Sequence, residues 1–135
     1  MTSIELLRKA IEKENARMGD VLEYSFKYKG YTAQIRRIQE YGHLCGYVKA
    51  DIQDYSKEYE IVGEHAHGGV TWNENGWIGF DCIHLGDFSL HQYEMFEKID
   101  GINPIGMDEG KNYRDFEYVK SNLHYQINKD RECLK

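Results

Sequence analysis

Residues 22–35 alternate with a period of two: Leu22, Tyr24, Phe26 and Tyr28 interleave with Glu23, Ser25, Lys27 and Lys29, then Gly30 breaks the run and Tyr31-Thr32-Ala33-Gln34-Ile35 resumes it. Successive side chains on a strand point to opposite faces, so this pattern predicts a β-hairpin with one apolar face. That face has to be covered. The flanking segments offer the cover at helical spacing. After Thr2 or Ser3 as N-cap, residues 3–18 carry Ile4, Leu7, Ile11 and Met18 along one stripe. From Arg114 onward Phe116, Val119, Leu123 and Ile127 repeat the pattern, with Asp115 and Glu117 near the positive end of the helix dipole. Gly46-Tyr47-Val48 reads as a further strand, and 51–60 as a polar connection with one helical turn. Residues 88–112, which contain the only proline, Pro104, read as a long ordered loop with a short helix near 90–97. The expected fold is α+β: a mainly antiparallel sheet of four to five strands packed by N- and C-terminal helices, in one domain spanning 1–135.

The charge balance excludes some functions. Seventeen Lys and Arg against 23 Asp and Glu leave a net charge of −6, which argues against nucleic acid as the main partner, because broad phosphate-backbone binding needs a basic face. The three cysteines, Cys45, Cys82 and Cys133, are irregularly spaced and odd in number, which suggests reduced thiols and a cytoplasmic location. No apolar run approaches the roughly 20 residues of a membrane span, so no membrane partner is expected.

Most of the chain's chemistry lies in Glu64–Asp87, where Glu64, His65, His67, Asp81, Cys82, His84 and Asp87 fall within 24 residues punctuated by Gly68, Gly69, Gly79 and Gly86. Strands over 65–72 and 77–84, joined at Asn73-Glu74-Asn75-Gly76, would pair Trp72 with Trp77, His67 with Cys82 and His65 with His84. His65, His67, Cys82 and His84 would then share one face, with paired Cβ atoms about 4.5–5.5 Å apart. That spacing permits a metal held by His67, Cys82 and His84. The alternative is a buried Cys82 among half-exposed histidines. In this register Asp81 sits opposite Gly68 on the other face, where it needs a partner such as Thr71, a backbone amide or Arg114. The alternative role for Asp81 is as a general base or a ligand acceptor. Asp87 reads either as the N-cap of a helix begun near Phe88 or as the second member of an acid pair. Arg114 or Lys120 is expected to reach back to Asp81 or Asp87, because a partly buried carboxylate calls for a cation. The residue set offers Asp81, Cys82 and His84 as catalytic candidates. It also offers His67, Gly68, Gly69, Thr71, Asp81, His84, Asp87 and Arg114 as ligand contacts. It does not specify a cofactor.

Four segments recur as a set: Gly42-His43-Leu44-Cys45-Gly46-Tyr47-Val48, His67-Gly68-Gly69-Val70-Thr71, Gly79-Phe80-Asp81-Cys82-Ile83-His84-Leu85-Gly86-Asp87 and Tyr113-Arg114-Asp115-Phe116-Glu117-Tyr118-Val119-Lys120. Together they resemble a family of small uncharacterised bacteriophage and prophage proteins with the patterns GHxCGYV, HGGxT, GFDCxHxGD and YRDxxYVK. The resemblance covers most of residues 42–120. It carries over His43, Cys45, His67, Gly68, Gly69, Thr71, Asp81, Cys82, His84, Asp87, Arg114 and Asp115 as shared positions, and His65 stands outside the pattern. It implies a phage accessory protein, with counter-defence as one role, that acts in the host cytoplasm by binding a small nucleotide-like molecule or a host protein. Homo-oligomerisation stays open. Eleven tyrosines could supply stacking and interface contacts. The alternative is a metal- or Cys/His-dependent hydrolase acting on a nucleotide or amide bond. A thiolate nucleophile fits poorly, because Cys82 lies mid-strand beside Phe80 and Ile83.

Overall fold

The computed structural model describes residues 3–38, 42–49, 62, 64–74, 76–82, 87, 89, 90, 94 and 113–133. Helix α1 (Ser3–Met18) leads into strands β1 (Glu23–Tyr28), β2 (Tyr31–Arg37) and β3 (Leu44–Lys49). After these come β4 (Trp72–Glu74), β5 (Trp77–Asp81) and helix α2 (Phe116–Cys133). The five strands form one antiparallel sheet in the order β1-β2-β3-β5-β4. The fold is α+β, as the periodicities predict. No described helix is long and apolar enough to cross a membrane.

The first hairpin closes on Tyr28 paired with Tyr31 through a two-residue turn in which Lys29 and Gly30 both have positive φ, +49° and +87°. That geometry matches the twist of the flanking strands, and lysine adopts it at a steric cost that glycine avoids. Contacts with α2 hold Lys29 in place: its Nζ donates to Asn128 Oδ1 at 2.6 Å, and its carbonyl accepts from Arg131 Nη1 at 2.9 Å.

The register sorts the side chains onto two faces. Ala33, Ile35, Leu44, Val48, Ile78 and Phe80 point inward and pack with Phe116, Val119, Leu123 and Ile127 of α2 in a single core. α1 joins the same side through a buried arginine. Arg37 falls in phase with Ala33 and Ile35, so its side chain enters the core, where it is 5% exposed beside Glu14 at 11%. Its Nη2 donates to Glu14 Oε1 at 2.7 Å and its Nη1 to the Gly42 carbonyl at 2.8 Å, while Nε donates to Asn15 Oδ1. The Tyr113 hydroxyl donates to the same Glu14 oxygen, and burial pushes that phenol's pKa up. Glu14 Oε2 accepts from the Phe116 amide at 2.7 Å, so a carboxylate from α1 caps α2.

The second hairpin differs from the expected one. β4 is three residues long, and Trp72 pairs with Gly79 rather than with Trp77, a shift of two residues. Glu74 pairs with Trp77, which leaves the two-residue turn Asn75-Gly76, the shorter of the even-length turns the sequence allows, in place of the four-residue one. Residues 65–69 form turns and bends, and β5 ends at Asp81. The expected pairs His67–Cys82 and Gly68–Asp81 do not form; Asp81 pairs with Cys45 of β3. The 51–60 connection, His84, Gly86, Phe88 and most of the proposed helix near 90–97 lie outside the described residues.

Two outcomes are expected. Arg37→Met strands the Glu14 carboxylate in the core and should cost about 3–5 kcal/mol in urea unfolding, with Arg37→Met/Glu14→Gln recovering part of the loss. The second concerns His124, which stacks on Tyr28 at 3.9 Å and meets the Phe26 edge at 5.7 Å. Burial, then the nearby Lys120, hold its pKa below the ordinary 6.5. The unfolded chain therefore takes up this proton more readily. The stability His124 contributes is present above pH 6.5 and lost as pH falls through the lower folded value. The advantage of wild type over His124→Gln should be largest above that pH and shrink on acidification, read by denaturation at a series of pH values.

Candidate functional site

The site begins at a backbone turn. Gly68 and Gly69 have φ of +67° and +93°, conformations that glycine adopts without strain, and the Gly69 amide donates to the Ala66 carbonyl at 3.1 Å. Two consecutive left-handed residues end any extended run from His65, which is why the strand starts only at Trp72. The ladder opens with the Thr71 amide donating to the Gly79 carbonyl at 2.9 Å. The turn points His67 at α2 instead of along the sheet. The His67 amide donates to Asn122 Oδ1 at 3.0 Å, and Asn122 Nδ2 donates to the His65 carbonyl at 3.3 Å.

Asp87 is the centre of the cluster. Its side chain is only 2% exposed, and its carboxylate lies 2.9 and 3.0 Å from His67 Nε2. Arg114 Nε donates to Oδ1 at 2.8 Å. An ionised carboxylate can only accept, so Nε2 carries the His67 proton and, in the neutral ring, Nδ1 accepts from the Tyr118 hydroxyl at 2.7 Å. The Arg114 guanidinium lies 4.7 Å from the Tyr118 ring centroid. Its hydrogen bond to Asp87 raises the arginine's pKa. Burial raises that of Tyr118, with Arg114 opposing. The expected reach of Arg114 to Asp87 is therefore present, made from the residues just ahead of α2. Lys120 instead lies over the Phe26 ring.

Of the candidate ligand contacts, His67, Asp87 and Arg114 meet in one cluster, and Gly68-Gly69 forms the turn next to His67. Asp81 does not join them, because it points to the opposite face of the sheet, in register with Cys45. Thr71 is exposed. Cys82 follows β5, buried at 2% exposure, with its amide donating to the Leu44 carbonyl at 3.1 Å. Burial, then the charge of Asp87, drive its thiol well above the ordinary value, and burial pushes Cys45 up to about 12. Neither sulfur is a thiolate near neutral pH. Both ring nitrogens of His67 are engaged, and among the described residues no three His, Cys, Asp or Glu side chains are placed to hold a metal ion.

Tyr118 and Asn122 are site residues that the sequence reading passed over. Their spacing was the available signal, since Arg114, Tyr118 and Asn122 recur every four residues and form one polar stripe beside the apolar one. The stripe continues to Gln126, whose Nε2 donates to the Val62 carbonyl at 2.9 Å.

No protein-family model, curated protein or solved structure matches the chain.

Asp87→Ala removes the shared acceptor of two donors and should cost about 3–5 kcal/mol. Arg114→Ala leaves His67 on the carboxylate and, with the arginine 26% exposed, should cost about 1–3 kcal/mol. Urea unfolding of the two variants checks the order. Equal, near-zero costs would show that the cluster does not hold the fold.

Proposed function

We propose that this chain is a phage accessory protein, with a role in counter-defence, that binds a small nucleotide-like molecule at the Asp87 site and releases it unchanged. The phage assignment rests on the sequence resemblance. The binding assignment rests on one observation: buried Asp87 anchors Arg114 through Nε. Among the described residues the guanidinium makes no other hydrogen bond, which leaves its Nη donors for a phosphate, next to the Tyr118 ring. The turn at Gly68-Gly69 adds backbone without side chains, and a Cβ on Gly69 would meet nothing within 4 Å. A hydrolase built on Cys82 fits less well, because its thiol is protonated and its surroundings carry carboxylates.

Isothermal calorimetry against a panel of host nucleotide second messengers tests this reading. Arg114→Lys keeps the charge and loses the fork, so it should weaken binding by about ten- to a hundredfold. Cys82→Ser should bind as wild type does, and denaturing the complex should return the ligand intact. Ligand conversion that disappears in Cys82→Ser would establish the hydrolase. Absence of binding across the panel would reject the nucleotide reading in favour of a host protein as partner.

A further inference from the structure

The last turns of α2 carry a buried carboxylate that the Asp87 cluster does not use. Asp130 is 0% exposed, and so is Gln126 one turn before it. Residues four apart on a helix lie one above the other with Cβ atoms about 5–6 Å apart, so the two side chains enter the same part of the interior. Each is held by one of its two polar atoms. The Tyr31 hydroxyl donates to Asp130 Oδ2, and Gln126 Nε2 donates to the Val62 carbonyl at 2.9 Å. A carbonyl only accepts, so the bond to Val62 fixes the amide orientation and makes the other polar atom of Gln126 an acceptor. Asp130 Oδ1 and Gln126 Oε1 are both buried, and among the described residues neither has a hydrogen-bond donor.

Charge is unbalanced at the same place. The basic side chains near this end of the helix are engaged elsewhere: Lys29 Nζ donates to Asn128 Oδ1, Arg131 Nη1 donates to the Lys29 carbonyl, and Lys129 lies 5.6 Å from the Tyr125 ring centroid. Asp130 stands in the last turn of α2, which ends at Cys133, where the helix dipole adds negative potential. A buried carboxylate there, met by one tyrosine hydroxyl, calls for a positive charge.

We propose that Asp130 Oδ1 and Gln126 Oε1 bind a monovalent metal cation, sodium or potassium, between the end of α2, the start of β2 and residue 62. Carboxylate and amide oxygens are the ligands that hard cations take. One carboxylate among neutral oxygens balances a single positive charge, whereas a divalent ion leaves a charge unpaired in the interior. Water supplies donors to both oxygens but no charge. An ammonium group on a larger molecule is a poorer occupant, because both residues are fully enclosed. Asp130 lies about 18 Å along α2 from Tyr118 at 1.5 Å per residue, so the ion is independent of the ligand assigned to the Asp87 site.

Urea unfolding of the full chain in sodium, potassium or choline chloride at one ionic strength tests this, because choline screens charge equally but is too large for an enclosed site. An ion that binds only the folded chain raises the folding equilibrium constant in proportion to its concentration once that exceeds the dissociation constant. Exchanging choline for sodium or potassium should therefore raise the constant, with a logarithmic slope approaching one. Asp130→Asn should stay folded and lose this dependence, because the asparagine amide supplies a donor for Gln126 Oε1 while its oxygen still accepts from Tyr31. Gln126→Met, which lacks one ligand oxygen, should need about tenfold more salt for the same rise. Identical unfolding in all three salts, a sodium or potassium effect that persists in Asp130→Asn, or the full wild-type dependence in Gln126→Met would each overturn the proposal. So would saturation by calcium at lower concentration than by the monovalent ions.

Discussion

The architecture depends on the buried pair between Glu14 and Arg37. Arg37 stands where the alternation of β2 requires an inward side chain, and a guanidinium enters a core only when its donors are satisfied. Glu14, Asn15, the Gly42 carbonyl and Tyr113 satisfy them, and Glu14 uses its second oxygen to cap α2. One carboxylate thus fixes where α1 lies on the sheet, how the chain leaves β2 and where α2 begins. Arg17 reinforces the junction with its guanidinium 4.1 Å from the Phe116 ring centroid.

From that start α2 presents two parallel stripes. The apolar one seals the sheet, while Tyr118, Asn122 and Gln126 fasten the 62–67 segment by its carbonyls, its amide and its histidine ring. Asp87 completes the fastening from a third direction. Its buried carboxylate is tolerable only because Arg114 and His67 approach it together, and the same arrangement holds the partly exposed Arg114 side chain by its Nε. The residues that hold this region are thus the ones that give it a recognisable chemistry.

Periodicity made the first hairpin and both helices legible, because a half-buried strand and a half-buried helix leave distinct spacings in the apolar residues. The Arg114–Asp87 contact was legible because the resemblance pairs an arginine with strand-end aspartates and a partly buried carboxylate calls for a fork of donors. Two features of the second hairpin hid its geometry. The glycine pair sets a backbone conformation, which residue-type alternation does not record, and the turn length sets the register by two residues either way. Asp81 was misplaced for that reason. Tyr118 and Asn122 were hidden differently, because a polar helical stripe looks the same whether it meets water or a loop backbone. Arg37 left a trace, a charged residue in phase with Ala33 and Ile35, which marks a satisfied interior guanidinium.

The cap that Glu14 places on α2 spans 102 residues of sequence. The meander of β1, β2 and β3 closes over short loops and can assemble while the chain is still short, whereas the cap pays the closure entropy of nearly the whole protein. During synthesis Glu14 can already pair with Arg37, while its second oxygen must wait for the Phe116 amide until residues 113–116 leave the ribosome. Closure of this cap is therefore among the last events of folding, and α2 docks on the sheet only when the two ends of the chain meet.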